Sequence, residues 1–320
     1  MKTKCAVYKN SHTELLGRRG IDTVALDTGS TVIVYKKITP EFKFDALLVS
    51  PFALVPKNSS LRLEVKIFKN KIETPWLKIS EFWHNENISF PPQAGALGAV
   101  ETDVFKCKNY ADSFTVRLTL EGKTTLNGLA FSVTKYKSAF DLKRAAPPFS
   151  GAPFKLPAPQ LSQFERGGKI KKRICSPACV TMLLNYYGIK QKLSDVLAGV
   201  YDKNADIYGN WIFNAFYAGR FGLTAYAARF DTLAQAENFV GSGAPLITSV
   251  SFKAGELDNS PRPSTAGHLV LIKGFDKNGN VIVNDPAAPS DDTVERIYDR
   301  AQFARAWLKN KRGLAYVIKQ

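Results

Sequence analysis

Cys175, His268 and Asp285 follow one another along this 320-residue chain, and their types can supply a nucleophile, a base and a group to orient that base. Cys175 is followed by Ser176 and Pro177, and then by Val180, Met182, Leu183, Leu184 and Tyr187, apolar on nearly every side, up to Gly188. The pattern predicts a buried helix. Proline is tolerated in its first turn, where a missing N–H leaves nothing unpaired, and glycine is the left-handed stop. A cysteine opening such a helix faces the positive end of the macrodipole, which favours the thiolate, the form that attacks carbonyl carbon. A lone cysteine more often packs than reacts, so the reading turns on a base. Of the three histidines, His12, His84 and His268, only His268 follows Cys175. It opens an apolar run at 268–275, with Gly267 leaving room beside the ring. A second run, 280–283, ends in Asn284 and Asp285, and Asp276, Lys277, Asn278 and Gly279 between the runs are a hairpin signal. A hairpin of this length sets the end of its second strand beside the start of its first, which brings Asp285 to His268.

These residues resemble the papain-like cysteine peptidases and, more closely, the branch related to the bacteriocin-leader-processing peptidases. The likeness is carried by Cys175, Ser176, Pro177 and Ala178, and by Leu184, Tyr186, Tyr187 and Gly188 at the end of the helix. It continues through Gly267, His268, Val270, Ile272, Gly274, Phe275 and Asp276 to Asp285 and Pro286, and spans residues 155–320. It implies a papain-like domain with Cys175 as nucleophile, His268 as base and Asp285 orienting the ring. It also implies that Gln163, matching the family's upstream glutamine, shares the oxyanion with the Cys175 backbone N–H; Gln160 is the fallback for that role. Two departures stand out: Ser176 where glycine is usual, beside the oxyanion position, and a basic insert at 165–173. In family members a Gly-Asn-Trp segment like that of Gly209, Asn210 and Trp211 lies near the cleft, so Trp211, Ser176 and Gly267 are candidate cleft residues. For Trp211 plain packing is an equal reading. The implied reaction is hydrolysis of a peptide or related amide through a thioester acyl-enzyme, with no metal or organic cofactor. Acyl transfer by the same triad is one alternative, and a non-catalytic surface- or envelope-binding protein is the other.

The elements that must position these residues fill the second half. After the cysteine helix come helices at 193–201 and 209–219, a strand at 225–230, a helix at 233–240 and a strand at 245–252. A loop at 253–265, directly before His268, has the place of a gate to the site. Residues 1–145 read differently. Residues 61–68 and 113–120 alternate apolar with mostly polar side chains, the mark of half-buried antiparallel strands. Further strands are expected at 31–35, 44–50, 76–82 and 129–134, with turns at 27–30, 56–59 and 121–123. The fold class is therefore α+β: an N-terminal antiparallel β-sandwich over 1–145, a possible binding module; a Pro-rich linker at 146–160; and a papain-like cysteine peptidase domain at 161–320. Phe149, Phe154 and Leu156 in the linker are too apolar to hang in water.

Composition bounds the partners. The net charge of +16 is spread evenly, with 22 Lys and Arg and 14 Asp and Glu in each of 1–150 and 151–320. An even excess argues against nucleic acid, which wants a basic face or stripe. It permits a peptide or protein substrate, and a glycan or anionic envelope polymer as further partner. Trp76, Phe82 and Trp83 either form a platform for sugar rings or fill the core. The insert at 165–173 is either a solvated loop or a positive rim that favours the thiolate. Cys5 and Cys107 are isolated, and no Cys/His pairs suit zinc. No run of about 18 apolar residues suggests a transmembrane helix. No signal peptide is visible, so the expected compartment is cytoplasmic, or the envelope or exterior if a signal was removed.

Overall fold

The computed structural model describes residues 6–7, 11–16, 21–25, 29–84 and 86–320. Cys5, Asn85 and part of the turn at 27–30 lie outside the described residues. The chain is mixed α/β and dominated by antiparallel sheets. It divides into two compact units, Met1–Ser138 with Ala198–Arg220, and Ala139–Leu197 with Phe221–Gln320.

The first unit holds two antiparallel sheets. In one, Thr125–Lys135 and Phe44–Leu54 lie at the centre. In the other, Ser113–Glu121 and Ser60–Lys69 pair over their whole length. The alternation in the sequence explains that pairing. Phe114, Val116, Leu118 and Leu120 stand opposite Ile67, Val65, Leu63 and Leu61, and all are buried, so a slip of one residue would expose the whole set. The sheets meet through aromatic rings, with Phe114 edge-on to Phe44 at 5.9 Å and to Phe131 at 5.0 Å. The helix Trp211–Gly219 belongs to this unit, and its Phe213 and Phe216 cover Phe82. Phe82 is wholly buried and Trp76 has the Arg117 guanidinium 4.4 Å above its ring, so the three aromatics do not form one open platform. Trp83 is 37% exposed.

The second unit is built on one antiparallel sheet, in the order Thr224–Arg229, Leu314–Lys319, Leu246–Phe252, Thr265–Phe275, Val281–Asn284 and Glu295–Tyr298. Leu233–Gly241 packs on it, started by a reciprocal capping box between Thr232 and Gln235. The Pro-rich segment lies on this core: Phe149 stacks on Phe275 at 6.1 Å, and Phe154–Lys155 pairs with the end of Thr265–Phe275. Gly274 makes that approach possible, since a Cβ there would sit 2.2 Å from the Phe154 carbonyl oxygen. Among the described residues no helix is long and apolar enough to cross a membrane.

Candidate active site

Cys175 is the first residue of the helix Cys175–Tyr186, and Ile174 at the cap offers no side-chain hydrogen bond. The first-turn N–H groups are therefore left to face whatever occupies the space ahead of the helix. Residues 176–184 are buried, which explains why this helix is apolar all round. Beyond its end Gly188 takes φ +77°, a conformation costly for any residue with a Cβ. The two cysteines of the helix differ sharply. Cys175 is half-buried, whereas Cys179 is wholly buried and donates to the Leu269 carbonyl at 3.4 Å. Burial pushes the Cys179 thiol well above its ordinary range.

His268 stands near the start of the strand Thr265–Phe275, and Asp285 directly follows Val281–Asn284. The turn between the strands is held by Asp276, whose Oδ1 accepts the N–H groups of Asn278 and Asn280 at 2.8 Å each, with Gly279 at φ +74°. Leu271 pairs with Asn284, so the chain leaves the sheet at Asp285. Asn284 and Asp285 part there: the Asn284 amide donates to the Pro159 carbonyl at 2.9 Å, and Asp285 turns to the histidine. His268 Nε2–H donates to Asp285 Oδ1 at 2.7 Å, and each side chain is only 1% exposed. The same Oδ1 accepts the Ala287 N–H at 2.9 Å, and Oδ2 accepts the Tyr298 hydroxyl at 2.6 Å.

His268 Nδ1 makes no regular hydrogen bond, and the ring's remaining partner is the Cys175 thiol. The protonation states of these groups are bound together. Burial would lower the His268 pKa, but the charge and hydrogen bond of Asp285, then the thiol, raise it to about 10. Burial would raise the Cys175 thiol, yet the hydrogen bond and charge of His268 outweigh it, helped by the Leu269 N–H and the Arg262 charge, so the thiol lies below its ordinary range. Burial would raise Asp285 too, and it is held low by His268, Tyr298 and the Ala287 N–H. All three shifts favour the charged form of each group: thiolate, imidazolium and carboxylate.

The other candidate residues take different places. Gln163 is wholly buried beside the aspartate segment, its backbone N–H donating to the Pro286 carbonyl at 2.9 Å. Its Nε2 donates to the Lys171 carbonyl at 2.5 Å, so one amide hydrogen is held by the basic insert and one remains. Ser176 is wholly buried, its hydroxyl 2.9 Å from the Tyr316 hydroxyl. Gly267 is exposed, and a Cβ there would make only ordinary contact with Lys311 Nζ at 3.4 Å. Trp211 opens its helix in the first unit, its backbone N–H held by Asp103 at 2.7 Å. Lys169, Lys171, Lys172 and Arg173 are exposed, and it is Arg262 from the loop at 253–264 whose charge reaches the thiol.

Tyr298, Arg262 and Ala287 are absent from the reading of the sequence. A tyrosine in a short strand carries no signal of its role; Arg262 stands between two prolines just before His268, which is a weak one. Replacing Tyr298 with phenylalanine removes one donor from a buried carboxylate and keeps the ring. The Asp285 pKa will rise, so the acid limb of Cys175 alkylation against pH will move to higher pH, with about 1.5–3 kcal/mol less stability in urea. A limb superimposed on that of the parent protein would reduce Tyr298 to packing.

No curated protein sequence matches the chain. Among solved structures it is similar to a double glycine motif protease from an AMS/PCAT transporter, in complex with the leader peptide, at 20% identity and a TM-score of 0.37 over 54% of this chain and 96% of that one. It is also similar to a C39-like peptidase from Bacillus anthracis, at 14% identity and a TM-score of 0.39 over 52% of this chain and 98% of that one. The model of the Peptidase_C39 like family matches residues 155–314, half of the sequence, and the chain belongs to that family.

Proposed function

We propose that the chain is a cysteine peptidase in which Cys175 attacks the carbonyl carbon of a peptide or related amide, with His268 and Asp285 completing a triad. Family membership supports a peptidase-like hydrolase and a peptide or protein substrate. The observation that carries the finer reading is the fully buried His268, held by Asp285 through Nε2 and left with the half-buried Cys175 thiol as its other partner.

The steps follow from that arrangement. The Cys175 thiolate adds to the carbonyl, and the oxyanion forms ahead of the helix start, where the Cys175 backbone N–H and the remaining Gln163 amide hydrogen are the donors. Each such donor is worth about 2.7–4 kcal/mol in the transition state. His268 gives its proton to the leaving amine as the C–N bond breaks, which leaves a thioester and a neutral ring. Water then attacks the thioester, His268 takes its proton, and the acid leaves as the thiolate is restored. Asp285 stays ionised throughout, fixing the ring and stabilising its positive charge. Residues 1–145 are read as a β-sandwich binding module, joined by the Ala198–Arg220 segment of the second half, and the rest of 161–320 as the peptidase domain.

The experiment is alkylation of Cys175 by iodoacetamide against pH, read by peptide mass mapping, followed by a peptide-library digest with free and alkylated protein. Cys175 is expected to react well below the ~8.5 of a free thiol, Cys179 to stay protected while the protein is folded, and cleavage to vanish once Cys175 is blocked. A Cys175 that reacts only in the ordinary thiol range would sink the mechanism.

A further inference from the structure

One large aromatic of the first unit stays on the surface. Phe82 and Trp83 are neighbours on the strand Leu77–Trp83, so their side chains point to opposite faces of the sheet. Phe82 is wholly buried, whereas Trp83 is exposed and its indole N–H has no hydrogen-bond partner among the described residues. A cavity of about 630 Å³ opens at this ring, and Lys57, Asn58, Glu81, His84 and Glu86 stand with Trp83 among its walls. That volume lies within the range of about 300–1,000 Å³ usual for small-ligand sites. The walls are tied to the sheet. Trp83 and Glu81 stand opposite Ser60 and Arg62, and Glu81 pairs with Arg62 at 3.0 Å. The turn after Trp83 closes through its backbone N–H, which donates to the Glu86 carbonyl at 2.8 Å. His84 Nδ1–H donates to the Val55 carbonyl at 3.1 Å, and Arg220 donates to the His84 carbonyl. Glu86 pairs with Lys203 at 3.1 Å.

These ties define what the cavity offers a ligand. Each carboxylate already has its cation, so the site does not call for a positive charge, and its remaining lone pairs can accept hydroxyl hydrogens. His84 keeps Nε2, and the side chains of Lys57 and Asn58 have no partner among the described residues. Lys57 is exposed, and a lone exposed lysine holds an anion only weakly. A hydrocarbon ligand would strand the polar walls. An extended peptide wants an open sheet edge, and Leu77–Trp83 lies between Ser60–Lys69 and Asn87–Ser89. The ligand that fits has an apolar face for the indole and a rim of groups that both donate and accept. A pyranose ring has both, C–H groups on its face and hydroxyls around its edge.

We propose that the Trp83 cavity is a saccharide-binding site, in which a neutral pyranose unit stacks on the indole and its hydroxyls bond to Asn58, Glu81, His84 and Glu86. The proposal deepens the reading of residues 1–145 as a binding module and rests on it, and it does not depend on Cys175.

The test is saturation-transfer NMR on the full chain with three soluble probes, the trimers of N-acetylglucosamine, of β-1,4-linked glucose and of α-1,4-linked glucose. At least one is expected to receive saturation at its ring C–H protons with a saturable dependence on concentration. Trp83→Ala is expected to weaken that binding by at least about tenfold. Asn58→Gly keeps the left-handed backbone at φ +57° and removes only the side-chain amide, and it is expected to weaken binding by about two- to tenfold. Both side chains are exposed, so neither substitution opens the core. Transfer to none of the three trimers in the parent, or equal transfer in the parent and in Trp83→Ala, would overturn the saccharide site. A parent that ignores the trimers and binds a peptide library through Trp83 would leave the binding module standing without its sugar. A parent that binds neither would overturn both.

Discussion

Alanine in place of His268 will abolish most of the reactivity of Cys175. The thiol is held low against its burial first by the hydrogen bond and charge of His268, and only then by the Leu269 N–H and Arg262. Without the ring, burial dominates and the thiol titrates at or above the free value near ~8.5, leaving only a few per cent thiolate at neutral pH. Alkylation at pH 7 will slow by at least about tenfold, on the thiolate fraction alone. Peptide hydrolysis will fall further, by about 10²–10⁴-fold, because the proton donor to the leaving amine is lost as well. Cys179 reports on the fold within the same digest, since it is wholly buried in the native helix. A variant with Cys179 protected and Cys175 as reactive as before would contradict the pairing.

Asp285→Ala will be the most damaging substitution for stability. It leaves the His268 ring, the Tyr298 hydroxyl and the Ala287 N–H without their shared acceptor in the core. Breaking one side of a buried charged pair costs about 3–5 kcal/mol. For a domain of this size that lowers the melting temperature by roughly 10 °C. The dependence on pH has a definite sign. His268 has its pKa raised to about 10 in the folded chain, so its contribution is complete below the ordinary histidine range and is lost as pH rises through that value. Asp285 is depressed, so its contribution is complete above the ordinary carboxylate range and is lost as pH falls through the folded value. The gap in urea stability between parent and variant will therefore be widest between those ranges and will narrow as pH rises from the histidine range to about 10. In the variant the thiol alone opposes burial at the ring, so the His268 pKa will fall and the alkaline limb of peptide hydrolysis will move to lower pH. A gap that does not change with pH would show that the carboxylate acts only by filling space.

The candidate site was legible in the sequence to the extent that local pattern determines it. The apolar run after Cys175 and the stop at Gly188 specify a buried helix, because a helix that is apolar on every side has nowhere else to go. The alternation at 61–68 and 113–120 marks two half-buried strands, because side chains alternate faces with a period of two. Asp276 and Gly279 encode a tight turn by their own chemistry, and a tight turn between short strands limits which residues can face His268.

The remaining features depend on partners far away in the chain. Nothing in the residue types distinguishes Cys175 from Cys179; the difference is that one lies half-buried at the start of the helix and the other a turn deeper, against Leu269. Asn284 and Asp285 are equal candidates by composition, and the point where the chain leaves the sheet sends one to Pro159 and the other to His268. Tyr298 acquires its role only when strand order sets it beside the aspartate. The helix Trp211–Gly219 lies in the second half of the sequence and packs in the first unit, because its phenylalanines find Phe82 there. The sequence by itself determined the elements and the chemical types available to them; tertiary structure decided burial, and burial decided which thiol, which carboxylate and which cation can act together.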